Sequence, residues 1–150
     1  MVRQTVARID LSALTDNYRC LVESLQREAD AAAARTRNPN EVPRASGLIA
    51  VVKANAYGHG AAQVVHSLEN AGADLVACAD IEEGTALRAA GVRAEILVFG
   101  ALSVSDLDGL FDGRLTPTIS TPFAARAVQA AAARYKTRIK YHLKIDTGMN

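Results

Sequence analysis

Residues 48–100, LIAVVKANAYGHGAAQVVHSLENAGADLVACADIEEGTALRAAGVRAEILVFG, alternate short apolar runs with segments of helical periodicity. The runs LIAVVK, DLVACA and EILVFG are rich in aliphatic residues and predict strands. The segments GAAQVVHSLENAG and DIEEGTALRAAG predict the helices between them, and each ends at a glycine. Strands that alternate with helices in this way predict a parallel sheet joined by right-handed crossovers.

The same alternation continues towards the C-terminus. SVSDLDGLFDG predicts a short helix opened by Ser103 or Ser105, and RLTPTIS predicts a fourth strand. TPFAARAVQAAAARY predicts a helix with Pro122 in its first turn, where proline is tolerated. RIKYHLKID then predicts a fifth strand.

The N-terminal side has a different pattern. A short strand is predicted from Val2 to Ile9, and a helix follows over residues 11–25 with Asp10 or Ser12 as its cap. A loop is then predicted from residues that favour turns, which are Pro39, Asn40, Pro43 and Gly47.

Two α/β architectures fit parallel strands joined in this way. A flavodoxin-like fold is complete near this length, whereas a TIM-like (β/α)8 barrel typically needs about 250 residues. The chain stops shortly after its fifth strand, at DTGMN, and a doubly wound domain would usually finish with a helix. We therefore predict that residues 1–150 form an incomplete barrel domain, about the first five strands, truncated before closure and with an unpaired edge.

Composition excludes several classes of function. Lys and Arg total 17 against 16 Asp and Glu, a net charge of +1, which gives no electrostatic case for a nucleic-acid or membrane partner. The longest aliphatic run, LIAVV, is far too short to span a membrane, and no signal peptide is expected. Cys20 and Cys78 stand far apart, so neither a disulfide framework nor a metal site is expected, and a cytoplasmic location fits best.

Lys53 is the first candidate for chemistry, because it ends an apolar strand and opens the loop KANAYGHG. In both candidate folds the C-terminal ends of the strands form the active-site face. A lysine beside buried residues can have its amine neutralised by desolvation, and a neutral amine can form a Schiff base with an aldehyde. The alternative is a charge that marks the solvent end of the strand.

The loop after Lys53 adds groups that suit a ligand. Gly58 and Gly60 allow the backbone to bend or to approach a ligand closely, and Tyr57 can donate a phenolic hydrogen bond. The helix after Gly60 offers free N–H groups that suit a phosphate. The alternative is an ordinary βα turn, in which His59 serves only as a turn residue.

The fifth strand carries a second set of candidates. Its apolar residues, Ile139, Tyr141, Leu143 and Ile145, share one parity and are expected to face the helices. This turns His142, Lys144 and Asp146 towards the barrel interior, where ionisable groups are costly unless paired and are therefore possible supporting site residues. The alternative is an edge strand on which these charges are simply solvated.

Other polar residues have structural interpretations. Asp80 and Glu83 are spaced as a capping box at the start of a helix, which favours a structural role over a metal site. Cys78 is expected to be a small core residue, and His66 to be structural or exposed.

The residues AVVKANAYGHG, Ala50 to Gly60, closely resemble the pyridoxal-phosphate attachment motif of alanine racemases. Three more segments agree in order: ARIDLSALTDNYRCL near the start, ADIEEGTALRAAG after the second strand and YHLKIDTGMN at the end. The resemblance covers the chain apart from the loop from about Arg27 to Ser46, which is longer than the family usually carries.

The resemblance implies a fold-type III enzyme with an N-terminal TIM-like barrel, a C-terminal β domain that this chain lacks, and a homodimeric state. It implies that pyridoxal 5'-phosphate forms an internal aldimine with Lys53, and that Tyr57 lies near the cofactor phosphate. Lys53 would act as one of two bases, and a tyrosine of the partner subunit as the other. In some members the lysine matching Lys144 is carbamylated and orients an arginine just beyond DTGMN.

The implied reaction interconverts L-alanine and D-alanine and supplies D-alanine for peptidoglycan. The 150-residue piece alone is expected to be inactive, because it lacks the second base. Three alternatives remain: a racemase of the same family acting on serine or lysine, a non-catalytic pyridoxal-phosphate-binding barrel protein, and a flavodoxin-like binding module. A β domain with a suitably placed tyrosine would support the racemase.

Overall fold

The computed structural model describes residues 5–36, 44–104 and 106–148. Its helices are α1 (Leu11–Arg35), α2 (Lys53–Tyr57), α3 (Ala61–Asn70), α4 (Ile81–Ala89), α5 (Asp108–Asp112) and α6 (Pro122–Arg134). Its strands are β1 (Ala50–Val51), β2 (Leu75–Cys78), β3 (Glu95–Val98), β4 (Thr116–Ile119) and β5 (His142–Leu143).

The strands form one parallel sheet in the order β1-β2-β3-β4-β5. In a flavodoxin-like sheet the strand order reverses at a switch point, whereas in a (β/α)8 barrel each strand lies beside its neighbour in sequence. The observed order therefore confirms the predicted partial barrel and excludes the flavodoxin-like alternative. The predicted strands after Leu48 are all present, although β1 and β5 are shorter than expected.

Helices α1, α4 and α6 begin at a residue whose side chain caps them. Asp10 Oδ1 accepts from the Ala13 amide at 3.0 Å, which confirms Asp10 as the cap of α1. Thr121 caps α6 in the same way through the Ala124 amide at 3.1 Å, and Pro122 is the first residue of that helix.

Three boundaries differ from prediction. Helix α1 continues to Arg35, beyond the predicted end at Leu25, because the alanine-rich residues that follow have high helix propensity. Residues 5–9 are not a strand, and the remainder of the strand predicted from Val2 lies outside the described residues. Helix α5 begins only at Asp108 with Leu107 at its cap position, so Ser103 does not open it.

Several residues named in the predictions lie outside the described ranges. Ser105, the other proposed opening residue of α5, lies outside the described ranges. So do Pro39, Asn40 and Pro43 of the predicted loop.

The core lies between the middle strands and the helices that cover them. Val76 on β2, Ile96 on β3, Val65 on α3 and Leu110 on α5 have no exposed surface. Residues of both parities on β2 and β3 are buried, as expected for parallel strands covered on both faces. The described helices include none with the length and apolar character needed to cross a membrane.

The two outer strands leave apolar side chains in solvent. On the β1 side, Val51 is 41% exposed, and on the β5 side, Leu143 and Ile145 are 64% and 71% exposed. Tyr141 is also exposed, although Ile139 packs against the core. The prediction that the apolar residues of the fifth strand pack against helices is therefore wrong for all but Ile139, because no described helix covers the others.

Candidate functional site

Lys53 lies at the carboxyl end of the parallel sheet, as predicted. The amide of Val52 donates to the Ala77 carbonyl at 2.8 Å, so the pairing of β1 with β2 ends immediately before Lys53. The lysine is half-buried, and its Nζ lies 5.6 Å from the centre of the Phe99 ring, which follows β3. This distance is within the range of a cation–π contact. The site thus places an amine above an aromatic face, at the end where barrel enzymes place their catalytic groups.

Phe99 was not among the site residues predicted from the sequence. A signal was present, because Phe99 lies near the end of the predicted strand EILVFG as Lys53 lies at the end of LIAVVK. Equivalent positions after neighbouring parallel strands meet at the same edge of the sheet. At the next residue, Gly100, a Cβ would stand 2.2 Å from the Ala79 carbonyl oxygen. Only glycine therefore permits the ends of β2 and β3 to approach this closely.

Residues 54–57, which follow Lys53 in the segment assigned as α2, form not a right-handed helix but a left-handed turn, here called the lysine turn. Ala54, Asn55, Ala56 and Tyr57 have φ of 50°, 54°, 54° and 53°. This conformation costs a residue with a Cβ roughly 1–2 kcal/mol, and consecutive cases are unusual. Gly58 and Gly60 have φ of 84° and 91°, which confirms the conformational freedom predicted for them, while the strain lies on the residues before Gly58. Strain of this kind persists only where surrounding contacts hold it, and it concentrates at functional sites.

Two side chains hold the ends of this turn. Glu83 Oε1 accepts from the Ala54 amide at 2.6 Å, and its Oε2 accepts from the Ala79 amide at 2.9 Å. At the other end, Asn55 Oδ1 accepts from the Ala61 amide at 2.8 Å. The first amide of α3 is therefore occupied by a side chain, and the binding of a phosphate by other amides of this helix remains a prediction.

The capping box at α4 forms only in half. Asp80 Oδ1 accepts from the Glu83 amide at 2.8 Å, as predicted. The Glu83 carboxylate does not return to the cap residue, because both of its oxygens bind the amides of Ala54 and Ala79. Glu83 thus links α4 to the lysine turn, a contact that its position in sequence did not predict.

Tyr57 points away from the protein interior and is 60% exposed. It lines an apolar groove of about 490 Å³ together with Tyr18 of α1 and Ile49 beside β1. Its contact with a cofactor phosphate remains a prediction.

The residues of the fifth strand are not joined to Lys53 in the described part of the chain. His142, Lys144 and Asp146 are all exposed. The Lys144 amide donates to the Ile119 carbonyl at 2.8 Å, which fixes its backbone beside β4, and Asp146 Oδ1 accepts from the Gly148 amide at 2.9 Å. Their exposure fits the alternative of an edge strand with solvated charges, and their orientation in a closed barrel remains a prediction.

The remaining candidates have the structural roles expected of them. His59 Nδ1 lies 2.9 Å from the Ala56 carbonyl oxygen within its own turn. His66 lies 3.0 Å from the Ala90 carbonyl oxygen through Nε2. Burial raises the pKa of the Cys78 thiol to about 12, with further contributions from the charges of Glu83 and Asp80, so it is a protonated core residue. Within the described ranges, no group of His, Cys, Asp and Glu is placed to hold a metal ion.

The fold and the site together define the class of protein to which the chain belongs. The chain is a five-stranded portion of a parallel β/α barrel with a lysine on a strained turn at the carboxyl end of its first barrel strand.

Sequence comparison identifies the family. The family model described as "Alanine racemase, N-terminal domain" matches residues 28–150, and the chain belongs to this family. An alanine racemase of Carboxydothermus hydrogenoformans is 36% identical over 148 residues, which are 99% of this chain and 35% of that protein. The chain thus spans about a third of the length of the curated relatives that it matches.

Solved structures agree with this assignment. The crystal structure of alanine racemase from Corynebacterium glutamicum has a TM-score of 0.70 and 30% identity, covering 95% of this chain and 36% of that one. A histidine racemase from Leuconostoc mesenteroides has a TM-score of 0.73 at 24% identity, covering 93% of this chain and 33% of that one. The second likeness shows the fold alone.

Proposed function

We propose that the protein containing this chain is a pyridoxal-phosphate-dependent amino-acid racemase that interconverts L-alanine and D-alanine. The observation that carries the proposal is the position of Lys53, whose amine lies at the carboxyl end of β1 above Phe99. Membership of the family supports it, as does the name alanine racemase carried by relatives such as that of Carboxydothermus hydrogenoformans.

The residues present fit part of a pyridoxal-phosphate site. Lys53 offers a half-buried amine for the aldehyde of the cofactor, and Tyr57 offers a hydroxyl for its phosphate. The first amide of α3 is occupied by Asn55, so a phosphate at this helix would be bound by the amides that follow it. When bound, pyridoxal phosphate withdraws electrons from the α-carbon of the amino acid and makes loss of its proton feasible.

The role proposed for Lys53 is that of covalent attachment point and base. Its Nζ holds the cofactor, and once released it takes or returns the α-proton on one face of the substrate. Racemisation needs a base on each face, and no residue described in this chain is proposed for the second. We propose that a tyrosine from the partner subunit of a homodimer fills that role.

Further parts of the proposal concern context. Residues 1–150 would belong to the cofactor-binding barrel domain, and the family relationship supports a cytoplasmic enzyme that supplies D-alanine for peptidoglycan. Lys144, with His142 and Asp146 beside it, would support the site from β5. Substrate choice needs a direct measurement, because the fold is shared with a protein named histidine racemase.

Attachment of the cofactor tests this proposal directly. The full-length protein is incubated with pyridoxal phosphate and reduced with borohydride, and the labelled peptide is identified by mass spectrometry. We expect the label on Lys53, no label there in Lys53→Ala, and unchanged labelling in Lys136→Ala, which removes an exposed lysine. Label scattered over surface lysines, or racemisation that survives Lys53→Ala, would contradict the proposal.

A further inference from the structure

The lysine turn depends on a contact from outside itself. Four consecutive non-glycine residues with positive φ follow Lys53, and their backbone would relax towards the ordinary right-handed conformation without such a contact. At the start of the turn that contact is the Glu83 carboxylate, which binds the amide directly after Lys53 at 2.6 Å. The residue that holds Ala54 therefore also fixes where the lysine backbone stands.

We propose that Glu83 is a positioning residue for Lys53, an inference that rests on the proposed function. Its carboxylate bridges the amide of Ala54, after β1, and the amide of Ala79, after β2. The bridge fixes the lysine turn relative to the end of β2, and the ring of Phe99, which follows β3, has its centre 5.6 Å from the Lys53 amine. Glu83 acts through the backbone and is not itself in contact with the amine.

A carboxylate is needed because the two amides donate hydrogen bonds to different oxygens of the side chain. A glutamine in this place offers one acceptor oxygen, and its amino group would face the second N–H. A carboxylate accepts both bonds, and bonds to a charged acceptor are stronger than neutral ones. The backbone of Glu83 is also held in place, since its amide donates to Asp80 Oδ1 at 2.8 Å.

Glu82 provides a matched control. It lies in the same first turn of α4 and is exposed. Glu82→Gln therefore removes the same charge from the same helix end and leaves the bridge intact. Any effect of the helix dipole is common to both variants.

Amide hydrogen exchange without cofactor is the first test. We expect exchange at Ala54 and Ala79 in full-length Glu83→Gln to be at least about ten-fold faster than in the wild type, and unchanged in Glu82→Gln. Glu83→Asp keeps the charge on a shorter side chain and should be intermediate; it also serves if the Gln variant does not fold. Equal acceleration across the core amides of β2 and β3 would overturn the proposal, because it would mean general destabilisation.

The second test is capture of pyridoxal phosphate on Lys53, followed as a function of pH. We expect slower capture and a displaced pH profile in Glu83→Gln, with the profile of Glu82→Gln matching the wild type. Profiles that coincide in both variants would overturn the positioning role. Failure of the wild type to label Lys53 would instead overturn the proposed function, and the exchange data would still decide whether Glu83 holds the turn.

Discussion

Glu69 illustrates how one carboxylate fastens a helix to a neighbouring loop. Its Oε1 accepts from the amides of Arg93 and Ala94, both at 2.7 Å, and its Oε2 lies 3.2 Å from His66 Nδ1. Burial raises the pKa of Glu69, but the bonds from Ala94 and Arg93 and the contact with His66 outweigh it and lower the pKa below 4.5. The folded state therefore favours the charged form.

Glu69→Gln should lower the free energy of unfolding by about 1 kcal/mol near pH 7, because charge-assisted bonds become neutral ones. A lowered pKa stabilises the fold above the unfolded value near 4.5, and this contribution is lost as pH falls through the folded pKa. Urea unfolding of both proteins should thus show a difference that shrinks below that pH. The exposed Glu28→Gln is the control, and a difference independent of pH would contradict the assignment.

The two cysteines should differ sharply in reactivity. Cys20 is exposed on α1, whereas Cys78 is buried with its pKa raised to about 12. Since the thiolate is the reactive form, a thiol reagent at about pH 8 should modify native protein at Cys20 only, and both residues in urea. Cys20→Ser should abolish native labelling, and rapid native labelling of Cys78 would contradict its place in the core.

Cys78 also predicts a dependence of stability on alkaline pH. The pKa of its thiol is 9.0 in the unfolded chain and about 12 in the folded protein. The stabilising contribution is present below 9.0 and is lost as pH rises through that window. Cys78→Ala should therefore reduce the loss of stability between these values, as measured by urea unfolding, and an identical slope would exclude this linkage.

At the scale of elements, Gly100 joins the ends of β2 and β3. Gly100→Ala would place its Cβ 2.2 Å from the Ala79 carbonyl oxygen, so the strand ends must separate. We expect a loss of about 2–4 kcal/mol in the free energy of unfolding, together with weaker capture of pyridoxal phosphate, because Phe99 would shift. Gly47→Ala is the control, since nothing lies within 4 Å of its Cβ. Equal stability of the two variants would contradict this packing.

The elements themselves were largely predictable. Apolar runs and helical periodicity gave the strands and the long helices, and the order of the sheet followed from their alternation. Cap residues such as Asp10 and Thr121 act locally and were open to inference, but the wrong assignment of Ser103 shows that a suitable residue need not be used. A short helix such as α5 has too few apolar residues at helical spacing for the sequence to show where it begins.

The site was predictable only in part. Lys53 could be placed because strand ends of one sheet meet at one edge. The left-handed turn could not, since Ala54, Asn55 and Ala56 carry no residue signal for positive φ comparable to that of glycine. The bridge from Glu83 to Ala54 joins residues 29 positions apart, and only the packing of α4 beside the lysine turn brings them together.

At the scale of the whole molecule, both edges of the sheet are unpaired within the described residues, because β1 pairs only with β2 and β5 only with β4. Unpaired strand edges with exposed apolar side chains favour association with other chains. We therefore expect the 150-residue polypeptide to self-associate in sedimentation experiments and to show no racemase activity, since it holds only one of the proposed bases. A stable monomer, or turnover by the purified polypeptide, would contradict this prediction.

Charged substitutions at the sheet edge can show which surface mediates the self-association. Leu143→Lys combined with Ile145→Lys should weaken it, because these side chains are 64% and 71% exposed beside the β5 edge. Val6→Lys is the control, since Val6 is 77% exposed but lies outside the sheet. Equal weakening by the control would indicate a general effect of added charge rather than pairing at the edge.

The left-handed turn also governs how this sequence can change over generations. At Ala54 and Ala56 a single nucleotide exchange can lead either to glycine or to valine. Glycine adopts the positive φ of these positions without steric cost, whereas a β-branched side chain there is strongly disfavoured. Neutral drift through this segment should therefore pass through glycine and avoid valine, whatever ligand the neighbouring lysine holds.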